Sequence, residues 1–319
     1  MEKQAKLIEI KKFKPPAGSK CFFYKTIDGI KIRIAIWNIK SLKGTFIIQS
    51  GRTEFIEKYY EVVKEIIDRG YCVVMFDWRG QGLSGRLTKD KHLGHVDKFE
   101  DYDSDLLEIF DNIISQQCPQ PYIGMGHSMG GCLMASFAAI ENQPMTGLIL
   151  CAPMLKLRIP TLMKFFIILI GFFAYKLGFK DIPLQRPEWE NKKGWHEVPF
   201  EENNVTSDII RYLRSADLIR EDENLAVGGF SLRWIYEAIK RCDKQSEEWA
   251  QKINIPTLVL LAKKDKLVDT RKIFTLCQSI TKKTIIELDG EHELLMERDL
   301  IRKDCWKAID TFLETMNTL

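Results

Sequence analysis

Residues 122–131 read YIGMGHSMGG and decide the fold that the sequence predicts. They begin as a short apolar strand, turn on small residues and lead into residues 132–140, whose apolar side chains have helical spacing. The turn contains Gly126-x-Ser128-x-Gly130, a pattern that places a serine in a strained turn between a strand and a helix. Glycine is expected at both flanks because a side chain there would collide with neighbouring backbone. The pattern predicts that Ser128 is a nucleophile exposed above the edge of a sheet.

The same stretch has a simpler interpretation, a glycine-rich turn that leads into a core helix. Its position between a strand and a helix favours the nucleophile. The helix that begins at Met129 directs its free N–H groups and its positive dipole end at the serine, which suits a reaction that develops an oxyanion. The rest of the chain must then supply oxyanion donors, an acid and a base, with the acid and the base following the serine in that order.

The composition is that of an ordinary globular chain. It has 319 residues, 45% of them hydrophobic and 29% charged, which is enough to bury a large core. The formal net charge of +3 is too small to indicate a nucleic-acid partner. Lysines crowd the N-terminus, so we interpret residues 1–19 as a solvated, poorly ordered lead-in. Weak attraction of these lysines to an anionic membrane surface is the alternative.

The cysteine usage predicts a reducing compartment. The eight cysteines are scattered, with no C-x-x-C pair, and none of the five histidines stands at a metal-ligand spacing. Cys72 and Cys151 fall inside apolar strand-like runs, as free buried thiols do. No apolar segment follows the N-terminal charges, so we expect no signal peptide. These features predict a cytoplasmic protein. The sequence implies no metal and no cofactor.

The hydrophobic pattern predicts strands that alternate with helices. Besides the strand and helix around Ser128, we expect strands at residues 21–27, 30–37, 45–49, 71–76, 146–152, 257–262 and 283–288, and helices at 54–69, 99–116, 271–280 and 300–318. Asp28-Gly29 joins the first two strands as a hairpin. The predicted fold class is therefore α/β, a mostly parallel sheet with an antiparallel N-terminal edge.

Reactive groups in parallel sheets lie in loops at the carboxyl ends of strands, and this rule selects an acid and a base. Asp265 closely follows the strand at 257–262 and is the predicted acid. Asp269 is the alternative, although it can equally cap the next helix. His292 follows the strand at 283–288 and is the only histidine after both the serine and the acid, so it is the predicted base.

Two backbone N–H groups are the predicted oxyanion donors. One belongs to Met129, at the start of the helix after the serine. The other belongs to Arg52, in the loop after the strand at 45–49, where Gly51 lets the backbone approach the site. A surface arginine that starts a helix is the alternative interpretation of Arg52.

Further motifs surround these candidates. They are Gly51-Arg52-Thr53-Glu54 with Lys58-Tyr59, DWRGQGLSGR at 77–86, GHVDKF at 94–99 with Asp101-Tyr102, HSMGG at 127–131, CAPM at 151–154, and His292-Glu293 with Glu297-Arg298-Asp299. Together they resemble the bacterial lysophospholipase L2 branch of the α/β-hydrolases, which is akin to the monoacylglycerol lipases. The dense resemblance covers residues 47–154 and 255–300.

The resemblance implies an α/β-hydrolase with a helical lid, and its catalytic roles fall on Ser128, Asp265 and His292. It implies a mono-acyl lipid substrate: a lysophospholipid, with monoacylglycerol lipase or general carboxylesterase activity as the alternative. A non-catalytic lipid-binding protein on the same fold is the rival from another class, but all three catalytic candidates are present. One departure is Ser50-Gly51-Arg52, where this branch carries Pro-Gly-Arg.

The strand-helix pattern breaks between residues 155 and 250, so we expect a hydrolase core of residues 1–154 and 251–319 with 155–250 inserted as a helical lid. Within the insertion, residues 165–175 read FFIILIGFFAY and carry no charge. As a helix this run would be ~16 Å long, too short to span a bilayer core of ~30 Å. It is either a helix buried between lid and core, or a lid surface that lines an acyl-chain pocket or touches the inner face of a membrane.

Overall fold

The structure is a computed structural model that describes residues 3–179, 181–184 and 197–317. Eleven strands lie in these residues: β1 Lys3–Gln4, β2 Lys20–Lys25, β3 Lys31–Trp37, β4 Thr45–Gln49, β5 Cys72–Phe76, β6 Tyr122–His127, β7 Met145–Cys151, β8 Pro183–Leu184, β9 Phe230–Ser231, β10 Thr257–Ala262 and β11 Lys283–Leu288. Strands β8 and β9 pair with each other, and the other nine form one sheet in the order β1-β2-β3-β5-β4-β6-β7-β10-β11.

The strand directions in this sheet confirm the predicted fold class. From β5 through β4, β6, β7 and β10 to β11 every neighbouring pair is parallel. The pairs β1–β2, β2–β3 and β3–β5 are antiparallel and form the N-terminal edge. The predicted hairpin joins β2 to β3, and Gly29 takes the left-handed conformation, with a φ of 91°, that its turn requires.

Helices cover both faces of the sheet. The α-helices of the described residues are α1 Tyr60–Asp68, α2 Glu100–Ile109, α3 Ser115–Gln117, α4 Met129–Ala138, α5 Thr161–Lys176, α6 Ile209–Glu221, α7 Leu232–Lys244, α8 Glu247–Gln251, α9 Thr270–Cys277 and α10 Asp299–Asn317. Helices α1 and α10 pack on one face, and α2, α4 and α9 pack on the other. Side chains along β4 alternate between these two cores, with Phe46 and Ile48 in the first and Ile47 in the second. All five residues of β4 are therefore buried.

The N-terminal lead-in is ordered, and the prediction of a poorly ordered segment is wrong for its described residues. Ile8 is buried, its N–H donates to Glu57 Oε1 at 3.0 Å, and its carbonyl accepts the Tyr60 hydroxyl at 2.8 Å. The ring of Phe13 lies 5.4 Å from that of Tyr60. The lysines suggested a solvated tail, but the apolar residues between them bury enough surface to fix the segment against the core.

Residues 155–250 contribute helices α5 to α7, most of α8, which ends at Gln251, and the β8–β9 pair, and none of their described residues joins the nine-stranded sheet. The buried-helix interpretation of the run at 165–175 is wrong. Within α5 only Gly171 and Ala174 are buried, while Phe165 and Phe173 are 58% and 55% exposed. Gly171 permits a close contact with α7, because a Cβ there would lie 2.7 Å from Tyr236 Cδ2. Ile167 and Ile168 are partly buried against the core, whereas the other large side chains of the run are exposed.

No helix in the described part of the chain combines the length and the apolar character that crossing a membrane requires.

Candidate active site

Ser128 occupies the turn between β6 and α4, with φ 50° and ψ −116°. The positive φ is a strained conformation for a residue with a side chain. Glycines flank the turn for the expected reason. A Cβ on Gly126 would lie 2.6 Å from the Gly130 carbonyl oxygen, and a Cβ on Gly130 would lie 2.3 Å from the carbonyl oxygen of Gln49. The close approach of β4, β6 and α4 thus forces the serine to project from the end of the sheet.

The structure brings Ser128, His292 and Asp265 together at the carboxyl ends of β6, β11 and β10. His292 Nε2 lies 2.9 Å from Ser128 Oγ. On the other side of the ring, Nδ1 lies 2.6 Å from Asp265 Oδ2. Asp265 and His292 are both buried, whereas Ser128 is partly exposed. A proton can therefore pass from the hydroxyl to an imidazole that a buried carboxylate holds in place.

The environment of Asp265 keeps it ionised. Its Oδ1 atom accepts the N–H groups of Leu267 and Val268 at 2.8 and 3.0 Å, which leaves Oδ2 directed at His292. Burial opposes ionisation, but the hydrogen bonds from His292 and from the two N–H groups lower the pKa of the carboxyl below its usual value. An anionic Asp265 favours the tautomer with a proton on Nδ1, so that Nε2 accepts from Ser128.

Asp269, the alternative acid, lies at the start of helix α9. Its side chain caps helix α9 and accepts the Lys272 N–H at 3.1 Å. The geometry therefore favours Asp265 as the partner of His292.

The loop after β4 lies beside the serine. A Cβ on Gly51 would lie 3.2 Å from Ser128 Cβ, so a larger residue would press on the nucleophile. The Gly51 N–H already donates to Glu54 Oε2 at 2.5 Å, and the next N–H along the loop belongs to Arg52. The N–H of Met129 is in the first turn of α4 and has no acceptor within that helix. Met129 follows Ser128 in the sequence, and Arg52 follows Gly51, whose backbone lies beside Ser128.

The Arg52 side chain packs against the inserted segment. Its Nη1 donates to the Gly228 carbonyl at 2.9 Å, and its guanidinium lies 5.3 Å and 5.4 Å from the ring centres of Phe230 and Trp234. The Gly94 N–H, from the core, donates to the carbonyl of Gly229 in the same stretch at 2.8 Å. Residues 228–234 therefore form one wall beside the loop that follows β4.

Sequence reasoning missed the role of Gln81. Its Nε2 donates to the Gly51 carbonyl at 3.1 Å, and its Oε1 accepts the Thr53 N–H at 2.9 Å. Thr53 has a φ of 66°, which is a strained conformation for a residue with a side chain. The two hydrogen bonds of Gln81, one on each side of Arg52, hold the loop in this conformation. Gln81 stood out in the sequence only as part of the motif at 77–86, through the resemblance to a known family. The two hydrogen bonds of its side chain depend on the shape of a turn, which a sequence pattern does not specify.

A buried cluster of polar groups lies behind the serine. Ligand-type atoms of Glu54, His127 and Glu293 lie within 4.8 Å of one another, an arrangement that could hold a metal ion. However, Lys58 Nζ lies 2.9 Å from Glu54 Oε1 and 2.6 Å from Glu293 Oε1, so an ammonium group already provides the positive charge. Burial lowers the pKa of His127 to about 4, so this imidazole is neutral at neutral pH. His127 packs under the turn, with Nδ1 3.1 Å from the Cys151 carbonyl oxygen.

Comparison with known proteins finds relatives among the hydrolases. The profile of the Hydrolase_4 family, described as "Serine aminopeptidase, S33", matches residues 40–299. The chain is 30% identical over 310 residues to "Lysophospholipase L2" of Escherichia coli (strain K12), covering 92% of this chain and 86% of that protein. "Probable lysophospholipase L2" of Haemophilus influenzae is 27% identical over 290 residues, covering 87% of this chain and 86% of the relative.

The solved structures agree in fold. A soluble variant of monoglyceride lipase from Saccharomyces cerevisiae, in complex with a substrate analog, has a TM-score of 0.72 to this chain at 17% identity. The superposition covers 96% of this chain and 100% of the lipase. At this level of identity the likeness shows a shared α/β-hydrolase architecture.

Proposed function

Since this chain belongs to the Hydrolase_4 family of the α/β-hydrolases and is an ester hydrolase, we propose that it releases the fatty acid from lysophospholipids. The observation that carries the chemistry is the chain of hydrogen bonds from Ser128 through His292 to Asp265. The substrate class rests on the relatives named lysophospholipase L2, which align with most of this chain. A mono-acyl lipid is accordingly the expected partner of the site.

In the proposed reaction, Ser128 Oγ attacks the ester carbonyl while His292 Nε2 takes the hydroxyl proton. Asp265 stabilises the imidazolium, and the N–H groups of Met129 and Arg52 stabilise the oxyanion. The tetrahedral intermediate collapses to an acyl-enzyme, and the imidazolium returns its proton to the departing glycerol oxygen. Water, deprotonated by His292, then attacks the acyl-enzyme, and the imidazolium returns this proton to Ser128 Oγ as the fatty acid leaves, which regenerates the serine. No step requires a cofactor.

The same proposal assigns residues 155–250 as a lid on a core of residues 1–154 and 251–319. Helix α5 supports a lid that touches a membrane surface, because it exposes an apolar face much larger than an isolated surface residue. The exposed apolar side chains in and just after α5 are Leu162, Met163, Phe165, Phe166, Leu169, Ile170, Phe172, Phe173, Tyr175, Leu177 and Phe179. Burying one such side chain contributes about 1.5–3 kcal/mol, so a few suffice for peripheral binding.

A panel of substrates, in which the three lipids carry the same acyl chain, tests the proposal. It contains lysophosphatidylcholine, lysophosphatidylethanolamine, the monoacylglycerol, a short water-soluble ester and an aminoacyl anilide that probes the aminopeptidase activity in the family's description. The purified protein should release fatty acid from both lysophospholipids faster than from the monoacylglycerol. Inactivity toward both lysophospholipids, with turnover of the monoacylglycerol or the short ester, would mean that the lipase or carboxylesterase alternative is correct.

A further inference from the structure

Lys58 joins two loops that meet at Ser128. It is 5% exposed, and its ammonium group contacts Glu54 and Glu293, two carboxylates that also lie in the protein interior. Lys58 is separated from Glu293 by 235 positions in the sequence. Glu54 belongs to the loop that follows β4, and Glu293 immediately follows His292. One buried cation therefore connects the loop beside the nucleophile with the loop that carries the base.

The Glu54 carboxylate holds groups of its own loop, and the backbone of Glu293 is bound to the inserted segment. Glu54 Oε2 accepts the Gly51 N–H at 2.5 Å and the Tyr59 hydroxyl at 2.8 Å, which fixes the peptide next to the predicted donor Arg52. On the other loop, the Glu293 N–H donates to the Val205 carbonyl at 2.7 Å. A movement of Lys58 would thus be transmitted to the backbone on both sides of the reacting atoms.

The charges of the cluster explain why the lysine is needed. Burial opposes ionisation of Glu54, but the Lys58 ammonium lowers the pKa of this carboxyl to about 2. Burial raises the pKa of Glu293 above its usual value, and the attraction of Lys58 counteracts that effect. Both carboxylates raise the pKa of Lys58. Without the ammonium group, the two carboxylates would repel each other in a medium of low dielectric constant until one of them bound a proton or the loops that carry them separated.

We propose that Lys58 is a positioning residue: through Glu54 and Glu293 it sets the distance between the oxyanion-donor loop and His292. This inference rests on the hydrolase mechanism proposed above. Lys58 itself touches neither Ser128 nor the substrate in that mechanism. A purely stabilising ion pair, in contrast, would hold the fold together without affecting the rate at which the folded enzyme reacts.

The test compares Lys58→Met, which keeps the length of the side chain and removes its charge, with the matched control Lys64→Met. Lys64 is an exposed lysine of α1 that pairs with Asp68 at 2.6 Å. With a short water-soluble ester, kcat of Lys58→Met should fall ~10–100-fold, because misplacement by about 1 Å has this effect on oriented groups. KM should change little, since the binding surface for the ester is untouched. The control should keep the kcat and KM of the wild type.

Glu293→Gln keeps the shape of the cluster and removes one of its charges, and it should lower kcat in the same direction by a smaller factor. If Lys58→Met does not fold, the kcat of Glu293→Gln tests the positioning role of Lys58 instead. An unchanged kcat in whichever of these variants folds, even with a lower melting temperature, would overturn the inference. The short ester also separates this result from the substrate proposal. A wild type that hydrolyses the ester but no lysophospholipid contradicts the proposed substrate and leaves the role of Lys58 testable.

Discussion

His292 Nε2 lies 2.9 Å from Ser128 Oγ, although 164 positions separate the two residues in the sequence. This distance is within hydrogen-bond range, so the imidazole can accept the hydroxyl proton directly. The wild type should therefore react with a fluorophosphonate probe. Ser128→Ala should lose all labelling and about 10⁴–10⁶-fold in turnover, because the members of such a triad act as a unit.

The control for this experiment is Ser104→Ala, a serine on the exposed side of α2 whose hydroxyl bonds to the Glu100 carbonyl at 3.0 Å. It should label like the wild type. A wild type that does not label would favour the non-catalytic lipid-binding protein. Labelling that persists in Ser128→Ala would place the nucleophile elsewhere.

Replacing the two candidate acids separates their roles. Asp265→Asn preserves the shape of the side chain, but it removes the charge that holds the Nδ1 proton of His292. Turnover should fall by about 10⁴-fold with little change in KM. Asp269→Asn keeps a residue that can cap α9, removes only the exposed ion pair with Lys272, and should cost at most ~1 kcal/mol of stability. Steady-state kinetics and thermal melting measure both effects. A larger loss of turnover in Asp269→Asn than in Asp265→Asn would mean that the assignment of the acid is wrong.

The buried His127 makes stability depend on pH. Burial lowers the pKa of this imidazole to about 4 from an ordinary value of 6.5. Between these two pH values the unfolded chain binds a proton that the folded chain does not, so the free energy of unfolding falls as the pH decreases through this window. The contribution of this residue is on the order of 2 kcal/mol between pH 7 and pH 4.5.

Denaturant titrations at a series of pH values measure this effect. His127→Asn can keep the hydrogen bond to the Cys151 carbonyl, which Nδ1 approaches at 3.1 Å, but it has no group that titrates in this range. The variant should therefore lose less stability than the wild type on acidification, since the contributions of other groups cancel in the comparison. Equal losses in both proteins would contradict a neutral, buried His127.

The apolar face of α5 should control activity on lipid surfaces. Replacing Phe165 and Phe173 together with Ser removes two side chains that are more than half exposed, so the fold should be retained. Co-sedimentation with vesicles and turnover of long-chain lysophospholipid should both fall; if each side chain contributes about 1.5–3 kcal/mol, binding weakens by about a hundredfold or more. Turnover of a short soluble ester should be nearly unchanged, because Ser128 and its partners are untouched.

Leu42→Ser is the matched control for exposure. Leu42 is 99% exposed in the loop before β4, at the amino ends of the strands, and its replacement should leave vesicle binding unchanged. If the wild type does not bind vesicles, or the double variant binds them equally well, the proposed membrane contact is wrong. The partly buried Ile168 is a poorer target, because it packs against the core and its loss would disturb the fold.

Much of the fold was predictable because buried parallel strands have a strong sequence signal. The strands Thr45–Gln49, Thr257–Ala262 and Lys283–Leu288 have the predicted bounds, since turn residues stand at their ends. The rule that reactive groups follow strand ends also selected Asp265 and His292, which the structure places in contact. Chain order and strand position are local properties, so a single sequence is enough to read them.

The features of the fold and the site that were not predicted depend on contacts between distant residues, which no local sequence pattern specifies. The lysines of residues 1–19 suggested a solvated segment, but Ile8 is buried against Glu57 and Tyr60. Apolar character indicated that the run at 165–175 was a helix but not which surface would cover it. Similarly, the bridge from Lys58 to Glu293 spans 235 positions, and only the folded chain brings the two together.

In the proposed mechanism a lysophospholipid acylates Ser128, and mass spectrometry of the quenched reaction tests this step most directly. The wild type is mixed with lysophosphatidylethanolamine, stopped in acid during turnover and digested. We predict that the peptide with Ser128 gains the mass of the acyl chain, and that the gain disappears in Ser128→Ala together with the release of fatty acid. Release of fatty acid that persists in Ser128→Ala, or an acyl group found on a different residue, would contradict the account.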